Sequence, residues 1–310
     1  MKGLELSRAY YEAYGESMIR NQFPEYEKYM AIGLVGEGSE CLGFDDEYSK
    51  DHDFGPGFCI WLPESIYNMA GEAIAAEYAR LPETFEGVRR LETMEGKGRV
   101  GVHCTGSFYR KYTGCDDLPD SDLSWLLISE NNLATATNGK VFCDNLGEFT
   151  RIRNGLLGFY PRDVLLKKIC ARMALMSQAG QYNYPRIMKR GDYGGGALAI
   201  SEFVKAAVSM VYLLNRRYMP FYKWMLRGME ELRTLREVKP MLESLLTIKD
   251  SGDTLFDKVQ IIENICIQVR QELEGQGFIV NGDNFLERSC GQVMGKITNP
   301  KIKSLPVMYG

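Results

Sequence analysis

The feature that most constrains this chain is the point at which its strand signal stops. Up to about Gly155, short apolar runs alternate with stretches of helical spacing. Beyond it come long helical segments with few glycines, at roughly 162–179, 195–217, 220–236 and 254–275. Before the break, residues 29–36 read as a buried strand ending in glycines, 53–62 as a second strand closed by Pro63, 99–103 as a third and 140–144 as a fourth. Helical spacing covers 5–20 and 64–80. Strands alternating with helices indicate an α/β domain, so the expected organisation is an α/β domain over 1–155 and an all-helical domain over 156–310. Pro220 suits the first turn of its helix, where a missing N–H costs nothing.

Composition narrows the chemistry. Two histidines, His52 and His103, leave little scope for His-rich metal sites or for Ser-His and Cys-His mechanisms. Eight cysteines without a Cys-x-x-Cys pair exclude zinc ribbons and dithiol redox motifs and read as reduced thiols. Any reaction must therefore lean on carboxylates. No run of 18 uninterrupted apolar residues occurs, and residues 1–20 carry charge in every turn, so the expectation is a soluble, cytoplasmic protein with no membrane partner. The net charge of −4 hides a segregation: 13 Lys+Arg against 26 Asp+Glu in 1–150, 17 against 6 in 151–240, and 7 against 9 in 241–310. An acidic domain that holds cations beside a basic one that neutralises phosphates would show this split, and so would two solvated surfaces of opposite sign.

The stretch from Gly36 to Phe54 carries the most chemistry. It follows one expected strand and leads into another. Gly36 and Gly38 allow close backbone approach, and successive N–H groups with the Ser39 hydroxyl can cradle phosphate oxygens. On a strand, Asp51 and Asp53 would emerge on one face, within reach of a common ion. Oxygen ligands shared with substrate phosphates suit Mg²⁺, in one or two ions.

Gly38-Ser39, eleven residues, then Asp51-x-Asp53 and an apolar residue resembles the signature of the polymerase-beta-like nucleotidyltransferase superfamily. The fuller string, with Gly43-Phe44-Asp45-Asp46 and Ser49-x-Asp51-His52-Asp53, resembles an uncharacterised bacterial nucleotidyltransferase-like family and, more distantly, the aminoglycoside nucleotidyltransferases. The later string 213–224 is similar to that family's helical domain. The resemblance implies an α/β domain with a small mixed sheet plus a helical domain that completes a cleft for ATP or another nucleoside triphosphate. It makes Gly38 and Ser39 phosphate ligands and Asp51 and Asp53 metal ligands. Two features depart from the pattern. The strand at 99–103 carries no third carboxylate, leaving Asp144 to fill that catalytic role or the role empty, and Glu37 puts an acid in the phosphate loop.

Further candidates lie downstream. Arg186, Lys189 and Arg190 beside the turn Gly191-Asp192, and Lys223 with Arg227 four residues on, could reach the nucleotide's phosphates. Phe221, Tyr222 and Trp224 read as interdomain packing, Glu202 could be a base reaching across the cleft, and His103 reads first as a satisfied core residue that a position near the cleft could make a base. His52, Asp45 and Asp46 read more simply as structural residues. The expected activity is Mg²⁺-dependent transfer of an NMP from a nucleoside triphosphate to an acceptor hydroxyl, with pyrophosphate leaving. A small-molecule acceptor is favoured over RNA or protein, because an acidic amino-terminal domain attracts a polycation. The competing readings are a catalytically silent nucleotide-binding module and a nucleotidyltransferase acting on RNA. The sequence leaves the oligomeric state open.

Overall fold

A computed structural model describes residues 1–50, 53–91, 93, 94, 96 and 98–310. Among the described residues six strands form: β1 (Ala31–Leu34), β2 (Cys59–Leu62), β3 (Thr84–Phe85), β4 (Val88–Arg89), β5 (Gly101–Cys104) and β6 (Lys140–Asp144). Four of them make one sheet in the order β5-β2-β1-β6, while β3 and β4 form a separate small hairpin. β1 runs antiparallel to β2 and to β6, and β2 parallel to β5, so the sheet is mixed. The fold class is thus a small mixed sheet among many helices, as expected from the sequence.

Every residue of β1 and β2 is buried, which is why both read as continuous apolar runs rather than as alternating ones. Ile32, Ile60 and Leu62 pack into one cluster with Tyr10, Met18 and Ile19 of the amino-terminal helices and Ile74 of helix Glu64–Tyr78. Trp61 faces the other way. Its ring stacks 4.0 Å from Phe149 on helix Glu148–Leu157 and meets Phe108 of helix Thr105–Thr113 edge-on at 5.5 Å. Helices therefore cover both faces of the sheet, and truncating a central ring such as Trp61 to alanine should cost about 3–5 kcal/mol.

The chain divides into two compact units: Met1–Pro119 with Asn132–Gly158, and Asp120–Asn131 with Phe159–Gly310. Residues 120–131, which the sequence reading puts in the first domain, pack with the helical unit instead. The Glu130 carboxylate is the reason: it accepts from Arg172 Nη2 at 2.9 Å and from Ser209 Oγ at 2.8 Å, in a buried setting. The described residues of the second unit form helices and connections only. Helix Arg162–Met176 is buried almost all round, including Lys167 and Lys168. Helix Tyr193–Leu214 is long and apolar enough to cross a membrane by length and composition, yet 72% of its most apolar window is buried inside the fold. The helix expected from residue 220 begins at Tyr222, with Phe221 still extended at ψ 148°.

Candidate functional site

At the end of β1 the backbone turns through two conformations that glycine alone adopts readily, Gly36 at φ 125° and Gly38 at φ 119°. The turn is braced from outside. Gly36 N donates to Asn138 Oδ1 at 2.9 Å, and Asn138 Nδ2 donates to Gly36 O at 2.7 Å, so a side-chain amide continues the ladder for one residue. This N–H is therefore already committed and does not join an anion cradle. Ser39 then opens the short helix Ser39–Leu42, and its hydroxyl has no hydrogen-bond partner among the described residues.

Arg99, immediately before β5, lies across this turn. Its Nε and Nη2 donate to Glu37 O at 3.2 and 2.9 Å, Nη2 pairs with the Glu40 carboxylate, and Nη1 donates to Asp53 O. Both members of the Arg99–Glu40 pair are largely buried, with side chains 13% and 10% exposed. A Cβ at Gly38 would stand 2.1 Å from Arg99 Nη2, so a glycine is required here for close approach as well as for φ. Burial pushes the Glu40 carboxyl above its ordinary range, and the Arg99 charge only partly offsets it.

Asp53 is not on a strand. β2 begins at Cys59, because Gly55 at φ 135° and Pro56, which has no N–H, interrupt the extended run. Asp53 itself is left-handed, at φ 49°. Its carboxylate accepts from Thr93 N at 2.7 Å and from Thr93 Oγ1 at 2.9 Å, and it packs so tightly on Gly96 that a Cβ there would meet Oδ1 at 1.9 Å. The alternating Asp51/Asp53 face expected from the sequence is thus corrected for Asp53. Asp51 and His52 lie outside the described residues. Among the described residues no three His, Cys, Asp or Glu side chains converge as a metal cage.

Asp144 is corrected more sharply. It pairs with Ala31 at the start of β1, the end away from the Gly36–Gly38 turn. Both its carboxylate oxygens are engaged at 2.8 Å, by Gly147 N and Thr150 N, so it caps helix Glu148–Leu157. Asp45 also does structural work, accepting from Gly3 N at 3.0 Å at the head of the first helix, and Asp46 caps the turn at Ser49.

Beside the turn opens a cavity of about 210 Å³, lined by Gly36, Glu37, Arg99, His103, Ser107 and Lys111 among others. Glu37 Oε1 meets Lys111 Nζ at 2.8 Å, with both side chains about half exposed. Burial, aided by the Lys111 charge, lowers the His103 pKa to about 4, so this imidazole is neutral at physiological pH. The carboxylate Glu37, unexpected in a phosphate loop, is therefore one half of an ion pair.

The downstream candidates belong to the second unit. Arg186 lies 4.2 Å over the Tyr182 ring, Lys223 lies 5.2 Å over Trp224, and Glu202 pairs with Lys205 at 3.0 Å. Lys189 and Arg190 are exposed beside Arg186, at the end of helix Tyr184–Met188. Phe221 and Tyr222, read from sequence as packing residues, are exposed at 49% and 68%. Sequence reasoning missed Arg99, Glu40, Lys111, Asn138 and Thr93. The Asn138-Gly139 dipeptide is a turn signal that could have marked one of them; the others act across long sequence separations that leave no local trace.

Residues 125–225 match a family described as a domain of unknown function (DUF4037). The matched stretch contains β6, Arg186, Arg190 and Lys223, but not the Gly36–Asp53 segment. No curated protein matches the chain. Among solved structures, the chain is similar to a nucleotidyltransferase-like protein from Exiguobacterium sibiricum 255-15, at 12% identity and a TM-score of 0.38. That match covers 84% of this chain and 75% of the other. The family match agrees with the resemblance to an uncharacterised family.

Proposed function

We propose that the first unit binds a nucleoside triphosphate and that the protein is a Mg²⁺-dependent nucleotidyltransferase acting on an acceptor hydroxyl, with a small molecule favoured as acceptor. One observation carries the reading: the Gly36–Gly38 turn is gripped at the Glu37 carbonyl by a cation, Arg99, that also grips the backbone of Asp53. A loop for phosphates and a carboxylate for a metal are thereby joined through one guanidinium. The adjoining cavity, with Lys111 and neutral His103 on its wall, supports the same reading.

In the reaction, the acceptor oxygen forms a bond to the α-phosphorus, the bond to the bridging oxygen breaks, and the electron pair leaves with pyrophosphate. Arg99 and Lys111 supply fixed positive charge where that leaving group gathers negative charge. Ser39 fixes a phosphate oxygen by a hydrogen bond, neutral His103 can accept a hydrogen bond from a hydroxyl held in the cavity, and the acceptor's proton passes to solvent. Magnesium, once bound, would contribute charge neutralisation between phosphate oxygens and carboxylate. Asp53 fits such a role in part, because a carboxylate accepting from Thr93 keeps lone pairs for a cation.

The test is calorimetric titration with ATP and magnesium, for the wild type and for Asp51→Asn with Asp53→Asn. Binding that needs magnesium and both aspartates, followed by pyrophosphate release with a suitable acceptor, is the expected result. Undiminished binding and turnover in the double variant would sink the proposal. A second reading, a silent nucleotide-binding module, is favoured by one observation: neither β5 nor Asp144 offers a third carboxylate near the turn. It predicts binding with no pyrophosphate released to any hydroxyl acceptor.

A further inference from the structure

We propose that Arg99 and Lys111 are the polyphosphate ligands of this site and that Glu40 and Glu37 hold them in reserve, so that nucleotide binding is an exchange of carboxylate for phosphate. This inference rests on the nucleotide-binding reading and deepens it. Glu37 and Glu40 bracket Gly38, and each pairs with one cation brought from elsewhere. Lys111 comes from helix Thr105–Thr113 and lies 2.8 Å from Glu37; Arg99 comes from the bend before β5 and pairs with Glu40. Both pairs lie at the Gly36–Gly38 turn, and their cations line one cavity.

The arrangement accounts for acids in an anion-binding loop. A guanidinium buried to the extent of Arg99 needs a counter-charge, since an unpaired buried ion is strongly disfavoured. The carbonyls of Glu37 and Asp53 orient Arg99 but carry no net charge, so Glu40 supplies it. A phosphate offers the same planar fork two oxygens and more charge than a carboxylate. Both cations line the cavity that begins at Gly36, so a ligand entering there meets them together. Neutral His103 on the same wall adds no competing charge.

The experiment compares wild type, Glu37→Gln, Glu40→Gln and Arg99→Ala by calorimetric titration with ATP and with inorganic tripolyphosphate, each with magnesium. If carboxylates compete with phosphates, Glu40→Gln binds both probes about tenfold tighter, because its buried cation gains a partner it lacks. Glu37→Gln, whose pair is half exposed, gains roughly threefold. Arg99→Ala loses affinity for both probes. Equal or weaker affinity in the two glutamine variants refutes the exchange. A wild type that binds neither probe refutes the nucleotide reading and the exchange together, whereas a wild type that binds ATP while all three variants match it refutes the exchange alone. Should Glu40→Gln fail to give a cooperative melt, Glu37→Gln, on the exposed pair, decides the question by itself.

Discussion

Acidification should weaken the first unit through one imidazole. His103 sits on β5, opposite Trp61 in the register, and burial together with Lys111 takes its pKa from 6.5 to about 4. The folded protein therefore refuses a proton that the unfolded chain accepts. Stability attributable to His103 is intact above about pH 6.5, falls as pH drops through the window to about 4, and is fully lost below it. The difference of 6.5 − 4 = 2.5 units corresponds to about 3.5 kcal/mol at most, at about 1.4 kcal/mol per unit. Two measurements check it. With two histidines in the chain, the ring resonances of His103 are identified by their absence in His103→Gln, and their titration midpoint should lie near 4. Urea unfolding of wild type and His103→Gln between pH 7 and pH 4 should then show the wild type losing the extra few kcal/mol while carboxylate contributions cancel in the difference. A midpoint between 6 and 7, or parallel pH profiles, would mean that His103 is solvated and that the neutral-imidazole argument fails.

Three further outcomes separate structural from functional roles. Arg99→Ala leaves Glu40 buried without its partner and should destabilise by about 3–5 kcal/mol, whereas Lys111→Ala, on the half-exposed pair, should stay within about 1 kcal/mol; chemical denaturation of both compares them directly. Asp144→Ala removes the cap of helix Glu148–Leu157 and should cost about 1 kcal/mol with ATP affinity unchanged, so a variant of wild-type stability that no longer binds ATP would restore Asp144 to the site. Gly38→Ala forces a Cβ against Arg99 at a left-handed φ and should lower both stability, by roughly 1–3 kcal/mol, and affinity for ATP, read by thermal melting and calorimetry.

The elements that sequence periodicity located are those whose burial is locally uniform. β1 and β6, helix Glu64–Tyr78, and the long helices Tyr193–Leu214 and Leu255–Gly275 lie close to their expected bounds, because core-facing positions repeat at the element's own period. The misplaced strand start at Asp53 has a local cause that periodicity does not weigh. Gly55-Pro56-Gly57 breaks the extended run, and the aspartate before it turns left-handed to meet Thr93. Asp144 is legible in another sense: an aspartate ending a strand, three residues before a glycine and a helix, is a cap signal. Residues 120–131 escaped because contiguity is the only rule a sequence offers for domain membership, while Glu130 finds its partners 42 and 79 residues away.

The site shows the same limit in its sharpest form. Glycines at 36 and 38 are visible in the sequence because backbone conformation is a local property, and the structure gives both of them positive φ. Charge pairing is not local: Arg99 reaches Glu40 across 59 residues, and nothing in the composition around either one singles it out. Read alone, Glu37 and Glu40 argue against a phosphate loop, since a carboxylate repels what the loop is meant to hold. Paired with Lys111 and Arg99 they become neutral couples whose cations face a cavity, and the sign of the argument reverses. An acidic residue in an anion-binding motif is therefore evidence against function only when its own counter-ion is absent, and that is decided by the tertiary structure rather than by the motif.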